Sequence, residues 1–115
     1  MKSERSYQDY LADMLDAMSK AQRFVEGMSF DEFSSDDKTV FAVVRALEIV
    51  GEAAKKIPLE VRALRQDIPW REIAGMRDKL THDYFGINLA VIWKAVGEDI
   101  PPLEEGIRSL LQGHS

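Results

Sequence analysis

A chain of 115 residues can build one hydrophobic core but not two, and with 45% apolar and 30% charged residues it has the make-up of an ordinary soluble domain. It holds no cysteine, which excludes disulfides and thiolate metal sites and suits a reducing cytoplasm; the opening MKSERSYQDY has no apolar signal core, and no stretch reaches the ~18 apolar residues of a membrane span. The net charge of −5 excludes a surface that grips nucleic acid throughout, and no DNA partner is expected, yet Ala53 to Leu80 carries seven positive residues against four negative, leaving eight against sixteen elsewhere.

Residues 4 to 26 read as a long first helix. Tyr7, Leu11, Met14, Met18, Ala21, Val25 and Met28 follow one another in steps of four and three, a heptad-like seam that packs inside a bundle or across a dimer. The methionines on it read as adaptable core rather than ligands. Gly27 to Asp37 is a connector, in which Ser29 and Glu32 form a capping-box pattern for one short turn. Ser35 or Asp36 then caps a second long helix running to about Lys56, which stops because Pro58 disfavours helical geometry at the residue before it. Apolar residues from Val40 to Ile57 cover more than half of its circumference, so it should be the central helix, with Gly51 allowing another backbone to come close. Arg45, Glu48, Glu52 and Lys55 form its narrow polar strip. Arg45 with Glu48, and Glu52 with Lys56, have ion-pair spacings. The strip is either a solvated row of salt bridges, or a face from which Glu52 or Arg45 orients polar residues of the helix expected over Trp70 to Gly86.

Pro58 to Gln66 reads as a short helix and Asp67 to Pro69 as a turn. Trp70 to Gly86, WREIAGMRDKLTHDYFG, is expected to form one amphipathic helix on Trp70, Ile73, Met76 and Leu80, with Pro69 opening its first turn and Gly86 closing it. Asn88 caps a last helix carrying Leu89, Ile92, Trp93, Val96 and Ile100 on one face. Pro101 and Pro102 must bend or restart it, and Leu103, Ile107, Leu110 and Leu111 continue the stripe. No alternating strand pattern and no repeat interrupts this series. The fold is therefore expected to be all-α: one domain over residues 1–115, a bundle of four to five helices with a proline-bent last helix.

The chemistry concentrates in Arg77, His82 and Tyr84, an R-x4-H-x-Y pattern. At 100° per residue His82 lies about 140° around the helix from Arg77, so one straight helix does not aim both at one point. Either the helix unwinds toward Gly86, or two copies of the motif meet across a two-fold axis. The second arrangement has a chemical attraction. Cleaving RNA without a metal needs a base for the 2′-hydroxyl, a proton donor for the leaving oxygen and positive charge on the phosphate, and two histidines with two arginines supply all three. Asp78, four residues before His82, is placed to hold a ring nitrogen and set the tautomer. The same residues have bland uses: a histidine near a helix C-terminus is favoured by the dipole, and a tyrosine there can be a buried anchor. Only His82 and the tail residue His114 are histidines, no carboxylate cluster is spaced to bind metal with either, and no cofactor is called for.

The runs IVGEAAKKIP (Ile49 to Pro58) and IPWREIAGMRDKLTHDYFGINLAVIW (Ile68 to Trp93) resemble the HepT-like branch of the HEPN superfamily, and the likeness extends over nearly the whole chain. The resemblance implies a helical bundle that forms homodimers, with two R-x4-H motifs meeting in a cleft between subunits. It implies a metal-independent ribonuclease that acts as the toxin of a toxin-antitoxin pair. The antitoxin is a minimal nucleotidyltransferase that transfers AMP to the motif tyrosine. By position, Arg77 and His82 are the catalytic pair and Tyr84 the AMP acceptor, with Asp78, Glu52 and Arg45 as supporting residues. The residue after the arginine is often asparagine in this family and is Asp78 here, which adds a negative charge beside the phosphate site. Two alternatives stand beside the ribonuclease: a non-catalytic helical dimer that binds a nucleotide or docks a nucleotidyltransferase, and a dimerisation domain with no site.

Overall fold

The structure is a computed structural model that describes residues 5–76, 78, 80 and 88–113. Every regular element in it is helical, and no strand occurs among the described residues. Helix α1 spans Tyr7–Phe24. It begins later than the periodicity predicts because Ser6 and Asp9 close a reciprocal cap: the Asp9 carboxylate accepts from the Ser6 amide at 3.0 Å, and the Ser6 hydroxyl accepts from the Asp9 amide at 3.4 Å. It ends two residues early at the Val25 cap, and Gly27 turns the chain away at φ +78°, a conformation glycine adopts freely. Leu11, Met14 and Met18 are fully buried, so the two methionines are core.

The short helix α2, Phe30–Ser34, carries the Ser29 and Glu32 capping box that the sequence predicts. Asp36 rather than Ser35 caps α3, Asp37–Ala54: its carboxylate accepts from both the Thr39 amide (3.2 Å) and the Thr39 hydroxyl (2.9 Å). These bonds to the ionised form hold the Asp36 carboxyl below the usual carboxylate range. Helix α3 is the centre of the molecule, as its apolar circumference predicts. Val43, Val44, Leu47, Val50 and Ala54 are buried, α1 lies along it, and α2 and the motif segment pack on it as well.

After α3 the chain makes the short helix α4, Leu59–Arg62, which tightens into a 3₁₀ turn at Ala63–Arg65. The last helical rod is continuous but changes pitch. Asn88 caps α6, Leu89–Lys94, by accepting from the Ala90 amide at 3.0 Å, a π turn covers Ala95–Asp99, and α7 runs over Ile100–Leu111. Pro101 and Pro102 lack the amides that would bond the carbonyls of Gly97 and Glu98, and the widened turn makes room for their rings. The prolines thus restart the helix, and Ile92, Val96, Ile100, Ile107 and Leu110 carry one buried stripe through the change. Phe30 and Phe33 of α2 meet the Trp93 ring at 6.1 and 5.3 Å, which ties the start of the bundle to its end.

One predicted element differs. The motif segment does not form a single helix from Trp70: α5 spans Trp70–Ala74 and is capped by Gly75, and helical conformation resumes at Met76, Asp78 and Leu80. Glycine is the poorest helix former after proline, and here it sits where one short helix gives way to the next. Pro69 also stands one position earlier than expected, at the cap rather than inside the first turn.

Candidate active site

The segment leading into the motif is held by a set of contacts that begins at the end of α3. Pro58 stops helical propagation there, and the last carbonyls of α3 are met by a tightened turn in which the Lys56 amide bonds Ala53 at 3.0 Å and the Ile57 amide bonds Ala54 at 3.2 Å. Arg62, one turn into α4, supplies donors: Nε bonds the Ile57 carbonyl and Nη2 the Ala54 carbonyl, both at 2.9 Å. The same guanidinium lies 5.9 Å from the centre of the Trp70 ring. Trp70 is buried and its indole Nε1 donates to the Arg65 carbonyl at 3.1 Å. Its amide reaches the Ile68 carbonyl at 2.8 Å across Pro69, whose φ of −78° and ψ of 70° make a three-residue inverse turn. The first residue of α5 is therefore anchored from both sides.

Ile73 and Leu80 are buried beside Trp70, and Met76 is partly buried, so the predicted apolar face of the motif segment does lie against the core despite the break at Gly75. Two of the seven cations between residues 53 and 80 are engaged by neighbouring parts of the chain. Arg62 is committed to carbonyls, and Arg65 grips Asp67 through two bonds of 2.9 and 2.7 Å. That fork holds the Asp67 carboxyl below its ordinary range and raises the Arg65 guanidinium above its own.

On the polar strip of α3, Arg45 lies 3.5 Å from both Glu48 and Glu52, so the anticipated pair of Arg45 with Glu48 forms and Glu52 joins it. The strip makes a described contact with the motif through a residue that spacing did not single out. Lys55 Nζ is 3.5 Å from Oδ2 of Asp78. Lys55 was legible in the sequence as a member of the strip, but its pairing with a residue 23 positions later follows from the packing of the motif segment on α3. The predicted catalytic pair Arg77 and His82, the predicted AMP acceptor Tyr84, and His114 lie outside the described residues.

Comparison with known proteins supplies what the geometry leaves open. The profile of the family described as "Ribonuclease HepT-like" matches residues 14–110. The chain belongs to the HepT-like ribonuclease family. It is 52% identical over 101 residues to a Thermococcus cleftensis protein named "Probable ribonuclease HepT", covering 88% of this chain and 92% of that one. It is 42% identical over 112 residues to a "Putative RNase" of Caldanaerobacter subterraneus, covering 97% of each, and 37% identical over 109 residues to a Methanocaldococcus jannaschii protein of the same description, covering 95% of this chain and 90% of that one. No solved structure matches the chain. Membership makes the chain a ribonuclease, and the all-α bundle with its proline-restarted last helix is the fold expected of this branch of the HEPN superfamily. No helix among the described residues is long and apolar enough to cross a membrane.

Proposed function

We propose that this ribonuclease is a metal-independent endoribonuclease toxin that works as a homodimer and is neutralised by a minimal nucleotidyltransferase antitoxin. The observation that carries this reading is the family match across residues 14–110 together with an intact R-x4-H-x-Y pattern at Arg77, His82 and Tyr84. One His82 takes the proton from an RNA 2′-hydroxyl. The freed oxygen attacks the adjacent phosphorus, the bond to the 5′-oxygen breaks, and the His82 of the second copy returns a proton to that leaving oxygen. The products are a 2′,3′-cyclic phosphate and a 5′-hydroxyl. Arg77 forks onto the non-bridging oxygens, whose negative charge grows in the transition state. Two copies answer the angular problem of a single helix, because each supplies the group that the other cannot aim.

Inhibition follows from the same layout. An AMP group on the Tyr84 hydroxyl adds bulk and a phosphodiester charge two residues from His82, where it competes with RNA for Arg77. The acidic remainder of the surface suits a protein antitoxin better than a long RNA footprint.

The deciding experiment is cleavage of total cellular RNA by purified protein in excess EDTA, alongside Arg77→Ala and His82→Ala. Activity that survives chelation and vanishes in both variants, with cyclic phosphate termini on the products, is the expected result. A folded, unmodified, dimeric wild type that cuts nothing would refute the reading and favour a non-catalytic helical dimer that docks the nucleotidyltransferase.

A further inference from the structure

Within the motif, one side chain opposes the chemistry of its neighbours. Asp78 directly follows Arg77, and a carboxylate at that point repels the phosphate that the arginine is to hold. Asp78 does not stand alone, however: its Oδ2 is 3.5 Å from Nζ of Lys55. Lys55 is the C-cap residue of α3, with its amide bonded to the Gly51 carbonyl at 3.2 Å, and a cation at that end is favoured by the helix dipole. Its backbone is thus fixed to the most buried helix of the bundle, whereas Asp78 lies beyond the break at Gly75. Two of the guanidiniums between residues 53 and 80 are engaged elsewhere, Arg62 by the carbonyls of Ala54 and Ile57 and Arg65 by Asp67. The two side chains remain 43% and 60% exposed, so their pairing adds little to folding stability. Its effect should lie in the local field.

We propose that Lys55 is a positioning residue for RNA cleavage, whose ammonium holds and neutralises the Asp78 carboxylate so that an RNA phosphodiester meets net positive charge at Arg77. This rests on the ribonuclease reading above. It gives the acidic residue next to the arginine a compensating partner on a different helix, and it predicts that the two positions are energetically coupled.

The test is steady-state cleavage of a short single-stranded RNA by wild type, Lys55→Gln, Lys55→Arg, Asp78→Asn and the Lys55→Gln/Asp78→Asn double variant, with Arg77→Ala as the reference for lost catalysis. Lys55→Gln should raise KM by about three- to tenfold and leave kcat within about twofold, with the difference shrinking as salt is added. Lys55→Arg should stay near wild type. Asp78→Asn should lower KM, and in that background Lys55→Gln should raise KM by clearly less than it does in wild type, because no carboxylate is then released toward the phosphate. Far-UV circular dichroism melts within a few degrees of wild type would confirm that the variants are folded. A silent Lys55→Gln, or the same penalty with and without Asp78, would overturn the proposal while the ribonuclease reading stands. Asp78→Asn leaves α3 untouched, so an unchanged or higher KM in that variant overturns it too, even if Lys55→Gln folds poorly. Wild type no better than Arg77→Ala would instead sink the ribonuclease reading, and the role of Lys55 with it.

Discussion

Replacing Arg62 by alanine should destabilise the protein far more than removal of an ordinary surface cation. The side chain makes two bonds of 2.9 Å to the carbonyls of Ala54 and Ile57, in a half-buried position where α3 has just ended. A hydrogen bond from a charged donor contributes about 1.5–3 kcal/mol, but the Ala54 carbonyl keeps its bond from the Ile57 amide at 3.2 Å and water reaches the half-buried site, so about 1 kcal/mol is expected for each bond. The expected loss is about 2–3 kcal/mol, including a small term for the guanidinium near the Trp70 ring. For a domain of this size that is a fall in Tm of roughly 8–12 °C. Arg62→Lys retains the charge but not the planar fork, so it should recover one of the two bonds and about half of the loss. Urea unfolding followed by far-UV circular dichroism measures both variants. A loss under about 0.5 kcal/mol for Arg62→Ala would refute the idea that this residue closes the end of α3. Because Trp70 opens the motif segment, RNA cleavage by Arg62→Ala should also fall at temperatures where the variant is still folded.

Phe33→Ala empties a fully buried site beside Trp93, and such a truncation should cost about 3–5 kcal/mol in the same unfolding assay, uncoupling α2 from the last helical rod. Asp36→Ala should flatten the acid limb of the stability curve. The folded-state pKa of Asp36 is depressed by its bonds to Thr39, so its contribution is present above the unfolded pKa and is lost as pH falls through the folded value, in the range below about pH 4; chemical unfolding of both proteins across that range tests this, and parallel curves would contradict it. Tyr84→Phe should leave RNA cleavage intact while abolishing AMP incorporation from ATP in the presence of the nucleotidyltransferase, as read by intact-protein mass spectrometry. Incorporation that persists in the variant would place the acceptor elsewhere.

Much of the fold can be read from residue pattern because its decisions are local. The steps of four and three on α1, the wide apolar arc of α3, the Ser29 and Glu32 cap and the Asn88 cap each act within a few residues, and all of these appear in the structure. The errors have local causes too. The Ser6 and Asp9 cap shortens α1, and Gly75 divides a segment whose apolar spacing alone reads as one helix. The candidate site is legible in a different way: the R-x4-H-x-Y pattern and the family likeness name Arg77, His82 and Tyr84, but spacing on one helix cannot bring arginine and imidazole together.

The sequence by itself determined the helical class, the single core and the buried methionines, because periodicity and caps are properties of neighbours along the chain. Tertiary structure alone decided how the charges are spent. Arg62 reaches back to the end of α3 beneath Trp70, and Lys55 meets Asp78 although 23 positions separate them. An ion pair of that kind depends on which faces of two helices are pressed together by their apolar sides, and that is fixed by the burial of Trp70, Ile73 and Leu80 rather than by the charged residues themselves.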